Sequence, residues 1–211
     1  MSEPRSTRPI LLEAGLVVDG SGGPSWPGDV LIVGDRIARL GEGLRERLPD
    51  GLTLAGVDVI DCRSHAIAPG FIDAHTHDDA IVLRDPSCLP KLSQGITTVV
   101  TGNCGISLAP YATGEALPPL SLLGTDSFHH PTMAAYRAAV AAARPALNVA
   151  ALIGHTTLRF AAMDDLTRAA SAEERARMAS LLDDCLTDGA FGLSSGLFYE
   201  EAYAAPDDNP N

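Results

Sequence analysis

A change of pattern at about Pro69 limits what this chain can fold into more than any other feature of it. Before that point the sequence reads as strands joined by tight turns; after it, strand-like runs alternate with helical ones. Leu11 to Asp19 is an apolar strand that ends in the turn-forming Asp19-Gly20-Ser21-Gly22-Gly23. Asp29 to Val33 and Arg36 to Leu40 flank Gly34-Asp35, and two such residues between β-rich runs are a hairpin signal. Val57 to Cys62 is a further strand, and Arg45 to Leu54 a loop or short helical turn. Residues 1–69 therefore predict the N-terminal part of a small β-sandwich domain.

From Phe71 the period alternates. Phe71 to His77 predicts a strand, Cys88 to Gln94 a helical segment closed by Gly95, and Ile96 to Thr101 a buried strand. His130 to Ala143 is an alanine-rich helix with Pro131 in its first turn, and Asn148 to Gly154 a third strand. Ser171-Ala172-Glu173-Glu174 fits a capping box, so a helix starts there and runs to about Asp188, where Gly189 stops it. Ala190 to Leu193 is the fourth strand. Strands alternating with helices imply parallel β/α units over residues 70–204. A closed barrel of eight such units needs ~250 residues, more than the 211 of the whole chain. Four strand positions thus fit half a barrel or a complete, smaller open sheet. Residues 205–211 are Ala, Pro, Asp and Asn without apolar periodicity and read as a disordered tail.

Charge narrows the function classes. The formal net charge is −12, which repels nucleic-acid phosphates and anionic membrane surfaces alike, so neither is an expected partner. Glu13 interrupts the apolar run Ile10-Leu11-Leu12 before the core of a secretory leader can form. No apolar stretch approaches the ~20 residues a membrane-spanning helix needs. These features predict a soluble, cytoplasmic protein. Cys62, Cys88, Cys104 and Cys185 are widely scattered, and in a reducing compartment they read as free thiols or metal ligands.

The chemistry concentrates at two strand ends. In Asp73-Ala74-His75-Thr76-His77, side chains two apart share one face of a strand, so His75 and His77 point the same way with Asp73 one step deeper. Two imidazoles so placed can take two positions on one divalent metal, and the C-terminal mouth of a parallel sheet is where active sites form. The plainer alternative is polar residues where a strand meets a loop. Thr101-Gly102-Asn103-Cys104-Gly105 ends the next strand, which brings Cys104 within reach of the histidine pair. A free cysteine is more often a small buried hydrophobe, but glycines on both sides open the backbone for something to approach.

These residues carry a resemblance. Pro69-Gly70-Phe71-Ile72-Asp73-Ala74-His75-Thr76-His77-Asp78-Asp79 resembles the first-strand motif of the amidohydrolase superfamily. Gln94 to Ser107, Ile153-Gly154-His155-Thr156-Thr157-Leu158-Arg159 and Gly189 to Tyr199 are similar to N-acyl-D-amino-acid deacylases (D-aminoacylases) in particular. Val17 to Gly22 and Gly34 to Ala38 resemble that family's N-terminal β-domain, and the likeness ends only near Pro206. The resemblance implies a (β/α)8 barrel, of which this chain would supply the first half, with a β-sandwich built from both chain ends. It implies zinc held in part by His75, His77 and Cys104, with Asp73 and His155 as neighbouring or pocket groups. Many relatives bridge two metals through a carboxylated lysine on strand four. Ala190 to Leu193 contains no lysine, and the sole lysine, Lys91, lies in the first helical segment, which agrees with the cysteine taking over.

The resemblance also implies histidines after strands five and six and an aspartate general base after strand eight. The last histidine here is His155, so no catalytic residue transfers to this chain. The expected activity is zinc-dependent hydrolysis of N-acyl-D-amino acids by a complete protein. The alternative is a non-catalytic fragment or subunit of a split enzyme, whose partner would be a missing C-terminal half; a hydantoinase-type cyclic-amide hydrolase is a weaker reading. Gly192-Leu193-Ser194-Ser195-Gly196 matches the nucleophile elbow of serine hydrolases, but that fold needs a histidine after the serine, and none follows Ser194.

Overall fold

A computed structural model describes residues 8–196. The expected tail at 205–211 and the Leu197-Phe198-Tyr199 end of the last motif lie outside the described residues. The chain divides into two units that meet between Pro69 and Gly70.

The first unit is one five-stranded mixed sheet. Its strands are β1 (Ile10–Val17), β2 (Trp26–Val33), β3 (Arg36–Gly41), β4 (Asp58–Asp61) and β5 (Ala66–Ile67). β2 and β3 form the hairpin around Gly34-Asp35, with Val33 opposite Arg36. β1 runs antiparallel to β2 and parallel to β4 and β5. Alternation loads both faces. Leu11 and Leu31, opposite one another, pack with Leu44 and Val57, while Val30, Val17, Cys62 and Ile67 form a separate cluster with Leu12, Ile32 and Trp26. Two 3-10 turns, Leu44–Glu46 and Leu54–Gly56, straddle the ends of the segment expected as loop or helical turn.

The second unit contains, in order, β6 (Phe71–Asp73), α1 (Ile81–Arg84), α2 (Leu89–Leu92), β7 (Ile96–Thr101), β8 (Tyr111–Ala112) and β9 (His129–His130). It continues with α3 (Met133–Ala143), β10 (Asn148–Gly154), α4 (His155–Ala162), α5 (Ala172–Thr187) and β11 (Gly192–Ser194). The main sheet has the order β6-β7-β10-β11, every pair parallel. Each strand lies beside its predecessor in the chain. An open doubly wound sheet reverses its order at a switch point, whereas a barrel adds strands in sequence, so these four strands are a half-barrel. Its helix side is the larger core: Ile153, Leu158, Tyr136, Met178 and Cys185 pack together, and Val99 joins Val82, Cys88 and Leu147.

Several expected boundaries move in the second unit. The first barrel strand stops at Asp73 instead of His77; beyond it the Thr76 N–H still reaches the Val100 carbonyl of β7 at 3.2 Å, but the Thr76 carbonyl takes the Asn103 carboxamide. The helix expected from His130 begins at Met133. Thr132 caps it, its hydroxyl accepting from the Ala135 N–H at 3.1 Å, and a residue before proline is pushed out of helical geometry; His129 and His130 are extended instead and pair with β8. The fourth strand is Gly192–Ser194, shifted two residues from its expected start. Among the described residues no helix is long and apolar enough to cross a membrane, and all four cysteines are free thiols.

Candidate metal centre

The loops leaving β6 and β7 converge. His75, His77 and Cys104 bring their ligand atoms within 4.8 Å of one another. The His75 Nε2 lies 3.0 Å from the Cys104 Sγ, and the two imidazole rings meet edge to face with centroids 6.0 Å apart. Nδ1 of His77 is buried without a hydrogen-bond partner. An orphaned buried nitrogen costs about 1–3 kcal/mol, and the ring that carries it belongs to this cluster. Burial, and next the neighbouring His75, push the His77 pKa down, which favours the neutral ring that ligates metals. Two nitrogens and a sulfur are a borderline-soft donor set that fits zinc, whose ligand atoms lie roughly 3–4 Å apart. The residues present therefore fit the ion.

The Cys104 turn has an unusual backbone. Cys104 itself is left-handed, with φ of +55°, between Gly102 at +76° and Gly105 at +78°. Any side chain on Gly102 would collide with the Leu152 carbonyl, so β10 packs directly against the turn. The Asn103 carboxamide donates to the Val100 carbonyl at 2.7 Å and the Thr76 carbonyl at 3.3 Å, tying this loop to the one that carries the histidines. The N–H groups of Thr156 and Thr157, in the first turn of α4, donate to the Gly105 carbonyl at 2.9 and 3.3 Å.

Asp73 and His155 stand apart from the three converging groups. Asp73 accepts from the His75 backbone N–H at 3.3 Å and from Lys91 Nζ at 2.5 Å. Lys91 also lies 3.1 Å from Asp78. Its hydrogen bond holds the Asp73 carboxyl below the usual range, and the lysine is raised in turn. Sequence reasoning gave Lys91 no role beyond exclusion from a bridging position. The only cue lay in two acidic residues flanking the His-x-His and one lysine further on, in α2. His155 opens α4, and burial, then Arg159, lower its pKa. Asp79, fully buried, was also missed; burial pushes its carboxyl up to about 7, against backbone N–H donors from Gly102 and Leu108.

The sequence model of the amidohydrolase family matches residues 58–210. This chain belongs to the amidohydrolase family. Among relatives of this amidohydrolase, an N-acyl-D-aspartate deacylase of Alcaligenes xylosoxydans xylosoxydans is 51% identical over 200 residues, covering 94% of this chain and 39% of the relative. A D-aminoacylase of the same organism is 46% identical over 197 residues, covering 93% and 39%. A crystal structure of D-aminoacylase superposes with a TM-score of 0.83 at 45% identity, over 93% of this chain and 40% of that one. An N-acyl-D-glutamate deacylase from Bordetella bronchiseptica, complexed with zinc and a phosphonate inhibitor, superposes with a TM-score of 0.82 at 41% identity and the same coverage. The amidohydrolase chain thus spans about two fifths of the length of these relatives.

Proposed function

We propose that this amidohydrolase chain carries the metal-binding first half of a zinc-dependent deacylase that hydrolyses the amide of N-acyl-D-amino acids to a carboxylate and a free D-amino acid. One observation carries the reading: His75, His77 and Cys104 converge at the C-terminal ends of adjacent parallel strands. The likeness to deacylases for D-aspartate and D-glutamate derivatives supports the substrate class. When bound, zinc supplies Lewis acidity to an amide carbonyl and to water. The residues of this chain would hold it: burial and His75 lower the His77 pKa, which favours its neutral ring, and Lys91 and Asp73 fix the loop on which His75 sits. Asp73 is a positioning group, because its carboxylate is taken by Lys91 and the His75 N–H. The free thiols favour a reducing compartment such as the cytoplasm.

A second reading is favoured by the half-barrel's edges. Phe71 and Ile72 on β6, and Phe191 and Leu193 at β11, are large apolar residues left exposed. Further β/α units, in the same polypeptide or on a partner chain, would cover them. The chain alone would then be the non-catalytic part of a split enzyme.

The test is a comparison of N-acetylated D- and L-amino acids as substrates for the full-length protein. Release of free amino acid from the D-forms alone is expected, with loss of both zinc and turnover in Cys104→Ala. Turnover of hydantoin or dihydroorotate without deacylation would replace this reading by the cyclic-amide one.

A further inference from the structure

The serine of Gly192-Leu193-Ser194-Ser195-Gly196 lies against the candidate metal centre, its hydroxyl bonded to the turn that carries Cys104. We propose that Ser194 is a positioning residue for the metal-binding thiol of Cys104; this rests on the metal-site reading above.

The Cys104 turn needs holding. Gly102, Cys104 and Gly105 all take the left-handed backbone, which is costly for a residue with a side chain, so an isolated turn of this sequence relaxes away from it. Ser194 reaches the turn from the end of β11, about ninety positions along the chain. Its hydroxyl accepts from the Gly105 N–H at 3.0 Å and donates to the Gly102 carbonyl. One side chain thus bridges both ends of the turn, with Cys104 between the two bonds. The bridge demands a hydroxyl, because only a group that is donor and acceptor at once can serve an N–H and a C=O together at that reach. β11 itself is placed by β10, with Ser194 opposite Gly154. Gly154 is equally constrained: a side chain there would meet the Gly105 backbone. The fourth strand therefore contributes to the metal site through its serine.

Groups that orient a metal ligand without touching the metal commonly change affinity ~10- to 100-fold when removed. The experiment titrates the metal-free full-length protein with Co²⁺ and reads affinity and the thiolate-to-cobalt charge-transfer band. Thr and Val are shape-matched and differ by the hydroxyl, so Ser194→Thr and Ser194→Val are the informative pair, with Ser194→Ala as a smaller hydroxyl-free variant. Wild type and Ser194→Thr are expected to bind alike with a strong band. Ser194→Val and Ser194→Ala, still folded by circular dichroism, are expected to bind ~10- to 100-fold more weakly with a diminished band. Equal affinity and band in all four proteins overturns the role of Ser194 while leaving the site intact. Loss of folding in both hydroxyl-free variants, with Ser194→Thr normal, overturns it too, because the hydroxyl then holds the fold and not the ligand. Failure of the underlying site looks different: wild type then gives no thiolate band, or Cys104→Ala binds Co²⁺ as wild type does.

Discussion

Cys104 occupies a backbone conformation that costs a non-glycine residue about 1–2 kcal/mol. Packing returns only part of that cost, since Cys104 is only half-buried. The proposed metal site gives a reason for a thiol held there against local preference. Replacing it by glycine separates the two effects. Cys104→Gly is expected to stabilise the metal-free protein by about 0.5–1 kcal/mol after the extra chain entropy of glycine is subtracted, read as a raised unfolding midpoint. The same variant is expected to lose most bound zinc, read by metal analysis after dialysis. An unchanged zinc content would remove Cys104 from the ligand set. Lys91 makes the converse case, a residue far from the ligands in sequence that holds their loop. Lys91→Met strands the partly buried Asp73 and Asp78 and is expected to cost about 1–3 kcal/mol in urea unfolding. Lys91→Arg should recover part of that loss, and a neutral effect of the methionine would show the ion pairs to be ornamental. The His-x-His and the glycine-flanked cysteine were legible in the sequence because their spacing and neighbours are themselves the signal. Lys91 and Ser194 were not: each acts through side-chain contacts across long sequence gaps, which no local pattern encodes.

At the scale of the element, legibility follows the locality of the cause. α5 was readable at both ends because its start is a self-contained device. Ser171 accepts from the Glu174 N–H at 3.2 Å, and the Glu174 carboxylate returns to the Ser171 N–H at 2.7 Å. Arg168 then clasps that carboxylate at 2.6 and 2.7 Å. By contrast α4 was missed. Its N-cap position is Gly154, which offers no side-chain cap, and its first N–H groups are satisfied by the Gly105 carbonyl instead. A helix whose start is capped from another loop leaves no mark in its own sequence. The α5 cap has a pH signature. The Arg168 hydrogen bond, then the Ser171 backbone, lower the Glu174 pKa from 4.5 to about 2. A group depressed on folding stabilises above its unfolded pKa and loses that contribution as pH falls through its folded one. The Glu174 contribution should therefore be complete above about pH 4.5 and vanish by about pH 2. Thermal melts across that window are expected to show a wild-type advantage over Glu174→Gln that shrinks toward the acid end. An advantage constant with pH would mean that the cap works by shape alone.

For the whole molecule, the alternation of strands and helices announced parallel β/α units, but only the observed order of the strands separates half a barrel from a small open sheet. That order is set by which helix packs over which pair of strands, information spread over the entire second unit. The same order defines the molecule's exposed weakness. Leu193 pairs with Ile153, which is fully buried, yet Leu193 is itself half exposed, and Ile72 on the opposite edge strand is more exposed still. Open edges carrying apolar side chains pair with whatever chain they meet. Residues 1–211 expressed alone are therefore expected to self-associate at micromolar concentration in sedimentation experiments. They are also expected to show no deacylase turnover, because the resemblance places the general base beyond this span. Placing a lysine at each edge, Ile72→Lys with Leu193→Lys, should shift the population toward monomer, since a charge at an edge strand opposes pairing. The far-UV spectrum should change little, because both positions lie outside the buried core. A wild-type chain that sediments as a monomer, melts cooperatively and turns over N-acetyl-D-amino acids would show instead that four strands suffice for both the fold and the reaction.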